Sequence, residues 1–96
     1  MESGTGNISS GSGTINLRRV GRVVYMQIYA VNTSVAAQTA FANIPERFRP
    51  ILNAYAPLSN PQDGTMIAVS ASGNLTLNKA TSANMYGSVC YIAAQE

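Results

Sequence analysis

The sequence has no histidine and no tryptophan, and it contains one cysteine and one aspartate in 96 residues. A zinc site needs about four clustered Cys, His, Asp or Glu ligands, which this composition does not supply. Hydrolysis by a carboxylate pair would have to bring Asp63 and Glu46 together, because the other two glutamates lie at the chain ends. We therefore expect neither an enzyme nor a metal or cofactor site.

The single cysteine also excludes a disulfide within the chain. Cys90 lies in the apolar run Val89–Ile92, which predicts a buried, unreactive thiol, with a reactive thiol as the alternative. A domain of this length buries only roughly 60–65% of the surface of its unfolded chain. We therefore expect association with other chains to add to its stability.

Charged residues are scarce, at 10% of the chain against 46% hydrophobic residues. In an ordinary globular domain the charged fraction is about 25%. The net charge of +2 is too small to indicate nucleic-acid binding. The remaining residues are largely Ser, Thr, Asn, Gln and Gly, a composition that suits subunit packing, a secreted or particle-bound protein, or contact with neutral polyols such as sugars.

Long apolar runs are missing as well. The N-terminal stretch has no apolar centre of the kind found in signal peptides, and no segment approaches the ~20 apolar residues of a membrane span. Residues 1–13 are rich in Gly, Ser, Thr and Asn, with Ile8 as their one large apolar residue after Met1. This composition predicts a flexible linker or tail, which would join a β domain over residues 14–96 to a longer polypeptide.

Apolar and polar residues alternate in the segment after this linker, which predicts β-strands. The first strand begins at Thr14, and the second, Arg22–Val31, follows a tight connection at Gly21. One face of the second strand would carry Val24, Met26, Ile28 and Ala30, and the other face Val23, Tyr25, Gln27, Tyr29 and Val31. Because both faces are apolar, this strand is expected to be central, or to pack on a neighbouring subunit through its tyrosines.

The same alternation predicts further strands in the second half of the chain. They are Ile51–Leu58, a hairpin of Thr65–Ser70 and Leu75–Asn78, and Met85–Ala94. Asn-Pro, Asp-Gly and Gly-Asn pairs between them are turn signals. Six to eight short strands without a strong helix indicate an all-β fold, a small antiparallel β-sandwich or barrel.

Two segments in the middle of the chain are less regular. Around Val35 and Ala37 the sequence predicts a short edge strand, with a helix over Ser34–Ala42 as the alternative. Phe41–Pro50 contains two prolines that fix their own φ and push the preceding residues toward extended conformations. This segment is predicted to cross between strands as a stiff extended connector. Its apolar residues Phe41, Ile44 and Phe48 would enter the core, and Glu46, Arg47 and Arg49 would remain in solvent.

Arginines and tyrosines are the candidates for ligand contact. The arginines form two groups, Arg18/Arg19/Arg22 and Arg47/Arg49, which are either solvated strand ends that protect edges or donors for a phosphate or carboxylate. The five tyrosines are either half-buried packing residues or flat surfaces for a sugar. Tyr55 and Tyr86 adjoin polar loops, which makes them better ligand candidates than Tyr25 and Tyr29.

Three pieces of the chain resemble, in this order, the C-terminal head domains of tail-fibre and baseplate receptor-binding proteins of tailed bacteriophages. They are INLRRVGRVVYMQI at Ile15–Ile28, IPERFRPI at Ile44–Ile51 and MIAVSASGNLTL at Met66–Leu77. The shared features are a strand with R-x-G-x-V-V, a connector with P-x-x-F-R-P and a hairpin with S-x-S-G-x-L. The connector is the most specific, and the likeness is strongest to phages of lactic acid bacteria and other Gram-positive hosts.

This resemblance implies a compact β domain that forms a homotrimer at the end of a fibre and binds host cell-wall polysaccharide or teichoic acid non-covalently. It implies a virion protein made in the host cytoplasm without a signal peptide, joined through its N-terminal side to other baseplate or tail subunits. Family saccharide sites often use tryptophan and histidine, which this chain lacks, so no family binding residue carries over.

A saccharide site in this chain would have to be built from tyrosine, arginine, asparagine and aspartate, at a cleft between protomers or among the loops. The candidate residues are Arg47, Arg49, Tyr55, Asn60, Asp63 and Tyr86. One alternative is a purely structural trimerisation or baseplate module without sugar binding. Another is a carbohydrate-binding module of a wall-degrading enzyme, which would be a monomer.

Overall fold

Two antiparallel β-sheets enclose the core in the computed structural model, which describes residues 1–33 and 35–95; Ser34 and Glu96 lie outside the described residues. Sheet A has the strand order β1-β3-β4-β9, and sheet B has the order β2-β5-β8-β7-β6. The strands are β1 (Glu2–Thr5), β2 (Asn7–Ile8), β3 (Ser12–Val20), β4 (Val23–Asn32), β5 (Ala42–Asn43), β6 (Ala54–Pro57), β7 (Met66–Val69), β8 (Asn74–Leu77) and β9 (Met85–Ile92). The predicted all-β antiparallel fold is confirmed.

The first thirteen residues differ from the flexible linker that their composition predicts. β1 pairs with β3, from Glu2 opposite Arg19 to Thr5 opposite Asn16, and β2 pairs with β5. The chain passes from sheet A to sheet B at Gly6, whose N–H donates to the carbonyl of Ile15 over 2.9 Å. Small polar side chains carry no apolar pattern, and pairing by the backbone does not need one. The described residues therefore form nine strands, above the six to eight expected.

Inward-facing residues of the long strands β3 and β4 form the centre of the core. Ile15 and Leu17 of β3 are buried, as are Val24, Met26 and Ile28 of β4. Sheet B contributes Ile67, Val69, Leu75 and Leu77 to the same cluster. The period-two pattern had predicted these faces, and β4 is the central strand that its apolar faces indicated.

A bulge in β4 changes which residues point inward beyond Ile28. Ala30 has a φ of 52°, and the registers of β4 with both β3 and β9 shift at this point. Gly13 lies opposite with a φ of 115°, and a side chain there would place its Cβ 2.5 Å from the Ala30 carbonyl oxygen. Val31 therefore completes the buried face of Met26 and Ile28. The prediction that Ala30 shares this face, and that Val31 lies on the face of the tyrosines, is wrong.

The connector between β5 and β6 is less extended than its prolines predict. Glu46–Phe48 forms a turn of 3₁₀ helix, begun by Pro45 and closed by hydrogen bonds from the N–H groups of Phe48 and Arg49. Phe41, Ile44 and Phe48 are buried as expected. The Tyr91 hydroxyl donates to the Phe48 carbonyl over 2.6 Å, and burial raises the pKa of Tyr91. Residues 49–51 then run beside β9, where the Ile51 N–H donates to Ile92 and the Ala94 N–H to Arg49.

Two further predictions fail. In the described part of the 32–42 segment, residues 37 and 38 form a turn, and neither the edge strand through Val35 and Ala37 nor the alternative helix is present; the first residue of that helix, Ser34, lies outside the described residues. Cys90 is exposed and not buried. It lies on β9 between the inward-facing Val89 and Tyr91, so strand alternation directs it outward.

Arg19 is the buried exception among the arginines expected in solvent. Its side chain is 3% exposed and faces inward at the end of β3. The guanidinium donates to three backbone carbonyls, those of Gly21, Arg47 and Gln95. It thereby joins the β3–β4 turn, the connector and the C-terminal segment, and it closes one end of the core.

Replacement of Arg19 by methionine should lower the free energy of unfolding by about 3 kcal/mol, because three carbonyls lose a charged donor. The measurement is urea unfolding followed by circular dichroism. Arg18→Met is the matched control, since Arg18 is exposed on the same strand, and it should change stability by less than about 0.5 kcal/mol. Equal effects of the two substitutions would contradict the role given to Arg19.

Candidate functional site

An open groove of about 560 Å³ lies on the outer side of β4 and β9. Its floor consists of side chains that alternate with the buried residues of these two strands, and its wall is the segment that follows β6. The lining residues are Tyr25, Gln27, Ile28, Tyr29, Pro57, Leu58, Ser59, Tyr86, Gly87 and Ser88. We call this cavity the aromatic groove.

Two tyrosines define one end of the aromatic groove. The rings of Tyr29 and Tyr86 meet edge to face, with centroids 5.5 Å apart and an interplanar angle of 89°. Tyr29 is 57% exposed, so one partner of the pair presents much of its ring to solvent. The bulge at Ala30 immediately follows Tyr29, and bulges redirect the side chains beside them. The edge-to-face contact holds the orientation of both rings.

The wall of the groove is fixed to β9 by backbone hydrogen bonds. The N–H of Ser59 and the N–H of Asn60 both donate to the Tyr86 carbonyl, and the Tyr86 N–H donates to the Asn60 carbonyl over 3.0 Å. Gly87 allows this close approach, because a Cβ there would lie 3.0 Å from Leu58 Cδ2 and 3.3 Å from Leu58 Cα. Leu58 itself is buried, so the wall is anchored in the core.

The polar groups of the aromatic groove are all uncharged. Gln27 and Ser88 lie opposite each other on β4 and β9 and supply an amide and a hydroxyl to the groove. A side-chain amide has hydrogen-bond donors and an acceptor, and a hydroxyl can both donate and accept. Aromatic faces with such groups can bind a neutral polyol through ring contact and hydrogen bonds. A strongly charged ligand would find no counter-charge among these lining residues.

Of the six predicted site residues, the structure brings Asn60 and Tyr86 together. Tyr86 lines the aromatic groove, whereas Asn60 supports its wall through its backbone. The Asn60 side-chain amide donates to the Asn84 carbonyl over 2.6 Å, which stabilises the two loops. Asn60 is therefore a supporting residue of this groove and not one of its lining residues.

Arg47 and Arg49 lie at the other end of sheet A. The Arg49 carbonyl pairs with Ala94, eight residues along the chain from Tyr86, which corresponds to about 25 Å of extended strand. The Arg47 guanidinium forms a bidentate pair with Glu2, with a shorter distance of 2.8 Å, and this hydrogen bond lowers the pKa of the Glu2 carboxyl. Arg49 donates to the Ile44 carbonyl and to the Asn43 side chain. Both arginines thus hold the connector in place.

Asp63 and Tyr55 occupy two further places. The Asp63 carboxylate accepts hydrogen bonds from the backbone and hydroxyl of Thr65, which lower the pKa of Asp63, and it lies 3.7 Å from the Lys79 ammonium. This arrangement stabilises the turn before β7. Tyr55 lies on the outer face of sheet B and is 66% exposed. The six residues therefore do not form one site.

Sequence reasoning missed Tyr29 and Gln27 as groove residues. Their common face on β4 was predicted correctly, but Tyr29 was ranked below Tyr86 because only Tyr86 adjoins a loop. The register that places Gln27 opposite Ser88, and the bulge that follows Tyr29, are properties of the pairing between β4 and β9. The sequence of neither strand specifies this register or this bulge by itself.

Two other features are absent from the described part of the chain. Residues 1–33 and 35–95 contain no group of three or more His, Cys, Asp or Glu side chains placed to hold a metal ion. The same residues include no helix long and apolar enough to cross a membrane.

The chain was compared with known proteins at the level of family, sequence and structure. It matches no protein-family model, no curated protein and no solved structure. Any functional conclusion accordingly rests on the chemistry of the groove and on the resemblance carried by the three sequence pieces.

Proposed function

We propose that this protein is the receptor-binding head domain of a tailed bacteriophage and that it recognises a host cell-surface saccharide non-covalently. The observation that supports this most is the aromatic groove, in which tyrosine rings, an amide and hydroxyls meet without charge. In this proposal the domain is part of the virion. Its N-terminal side joins it to other baseplate or tail subunits.

The groove suits a sugar better than other small ligands of similar size. A pyranose ring has apolar C–H faces and a rim of hydroxyls, so it needs flat apolar contact and neutral hydrogen-bond partners together. Tyr25, Tyr29 and Tyr86 offer the first, and Gln27, Ser59 and Ser88 offer the second. An open, shallow site of this kind binds weakly by itself. Several heads on one particle would convert weak binding into firm attachment through avidity.

A row of apolar side chains on sheet A supports the homotrimer that belongs to this proposal. Val20, Val23 and Ile92 lie opposite one another on β3, β4 and β9, and Ile51 continues the row beside β9. Their exposed fractions are 64%, 49%, 49% and 53% in the order Val20, Val23, Ile92 and Ile51. Contiguous exposed apolar residues of this kind mark protein contacts.

The same row favours a second candidate function, a structural trimerisation or baseplate module that binds no sugar. In that case the protein contact would extend from Val23 across Tyr25 to Tyr29, because these residues share the outer face of β4. The aromatic groove would then be filled by another subunit. The two candidates differ in one measurable property, which is the access of a saccharide to the groove in the assembled protein.

The first test is a calorimetric titration of the assembled protein with cell-wall polysaccharide from Gram-positive bacteria, after its mass has been measured by light scattering. We expect binding, and we expect a double variant, Tyr29→Ala with Tyr86→Ala, to weaken it at least about tenfold through lost ring contact. Leu52→Ala is the control, because Leu52 is 76% exposed and lies outside the groove. An assembly that binds none of the polysaccharides would favour the structural module.

The second test concerns the apolar row. Val23→Thr with Ile92→Thr keeps the branched shape and should shift the protein from trimer toward monomer in light scattering. Met66→Thr is the control, since Met66 is exposed on sheet B.

Cys90 gives an independent readout of the same contact, because it is exposed on sheet A and lies opposite Tyr25. Its labelling by a maleimide should slow as the protein concentration rises, and the double variant should remove this dependence. A protein that is monomeric at every concentration, with constant labelling, would contradict the trimer.

A further inference from the structure

The outer face of sheet B carries a second depression, which we call the trench. It consists of two adjoining hollows of about 130 and 180 Å³ that share Gln38, Tyr55, Ala68 and Thr76. One hollow continues to Met66 and Asn78, and the other continues to Asn53 and Ser70. The trench therefore runs along the strands over about four residues, or roughly 13 Å.

The register of sheet B explains the shape of the trench. Tyr55 of β6 lies opposite Ala68 of β7, and Ala68 lies opposite Thr76 of β8. Gln38 lies beyond β8, where its N–H donates to the Leu77 carbonyl over 2.9 Å. The large side chains of Tyr55 and Gln38 thus lie on either side of a floor. This floor consists of the small side chains of Ala68 and Thr76. The backbones of Tyr55 and Gln38 are three strand spacings apart, or about 14 Å.

Gln38 has an unusual backbone conformation for a side-chain-bearing residue. Within residues 1–33 and 35–95, the only non-glycine residues with positive φ are Ala30, at 52°, and Gln38, at 65°. A glycine would adopt this conformation without the strain, and such strain is concentrated at functional sites. Ala30 adjoins the aromatic groove, and Gln38 forms one side of the trench. Each of the two depressions therefore adjoins one of the two strained residues.

Three polar groups in the middle of the trench remain available to a ligand. In the described part of the chain, no side-chain hydrogen bond engages the Gln38 amide, the Tyr55 hydroxyl or the Thr76 hydroxyl. The lining residues of both hollows are uncharged, as in the aromatic groove. At the two ends, the side chains of Asn53, Ser70 and Asn78 already take part in hydrogen bonds within the chain.

We infer that the trench is a second subsite for a neutral saccharide, with Tyr55 as the ring-contact residue and the Gln38 amide as a specificity-determining partner. This inference rests on the proposed saccharide-binding function. Pro57 and Tyr55 both point outward from β6, where Pro57 lines the aromatic groove and Tyr55 lines the trench. The two subsites therefore lie on either side of one edge strand.

The test is a titration of the ¹⁵N-labelled protein with glucose, galactose, rhamnose, N-acetylglucosamine and lactose at millimolar concentrations, followed by amide chemical shifts. We expect at least one sugar to shift two separate groups of amides, one around Tyr29 and Tyr86 and the other around Gln38 and Ala68. Tyr55→Ala should weaken the second response about tenfold and leave the first unchanged. Leu52→Ala, the matched exposed control, should change neither.

Gln38→Gly separates a binding role from a structural one. Because glycine adopts a positive φ without strain, this variant should unfold at a higher temperature. It should nevertheless bind the sugar more weakly at the trench. Gln38→Asn, which keeps an amide and tolerates the same backbone conformation, should retain part of the binding. A Gln38→Gly variant with unchanged affinity at the trench would overturn the role of the amide.

The outcomes for the two sites are distinguishable. Shifts confined to the aromatic groove would overturn the second subsite and leave the proposed function intact. Shifts confined to the trench would support the subsite and remove the groove from the saccharide site. Shifts at neither place with any of the five sugars would overturn the second subsite, and polysaccharide binding by the assembled protein would still decide the proposed function.

Discussion

The pairing of β4 with a strand on each side is the constraint on which the rest of the structure depends. Its ten residues are hydrogen-bonded to β3 along one edge and to β9 along the other. A single change in β4 is therefore passed to both neighbours. The left-handed residue Ala30 is such a change, since both registers shift beside it. It brings Val31 into the core and leaves Tyr29 on the surface next to Tyr86. The burial of Val31 thus depends on one bulge, which lies beside the groove.

Most of the arginines stabilise the backbone and not a charged surface. Arg19 joins three segments through their carbonyls, Arg22 donates to Ala93 and Ala94, and Arg49 donates to Ile44. Arg47 pairs with Glu2 across the connector and β1. A buried cation without a carboxylate partner has to be satisfied by hydrogen bonds, and Arg19 donates them to carbonyls at the end of the core. With its few charges used in this way, the domain presents neutral surfaces at both depressions.

The aromatic groove and the trench have the same chemistry although different sheets build them. Each combines tyrosine with amides and hydroxyls, and each adjoins a residue whose backbone is strained. Their floors differ, because β4 and β9 present large side chains on the outer face whereas β7 and β8 present Ala68 and Thr76. The groove is therefore floored by tyrosine rings, and the trench is a narrow channel with one ring at its side. This difference suits ligand segments of different shape.

The sequence by itself determined the fold class, most of the core and the central place of β4, because alternation of period two is written in each strand separately. It also predicted that Phe41, Ile44 and Phe48 enter the core. Alternation along β9 also directs Cys90 outward, although its apolar neighbours had suggested burial. Only the tertiary structure decided the positions of Arg19 and residues 2–8, since closure of the core and backbone pairing leave no local pattern. The same holds for the site: Tyr29 meets Tyr86, and Tyr55 faces Gln38, through registers between segments far apart in the chain. The sequence shows which side-chain types are present. The contacts between these side chains depend on strand pairings that no single segment specifies.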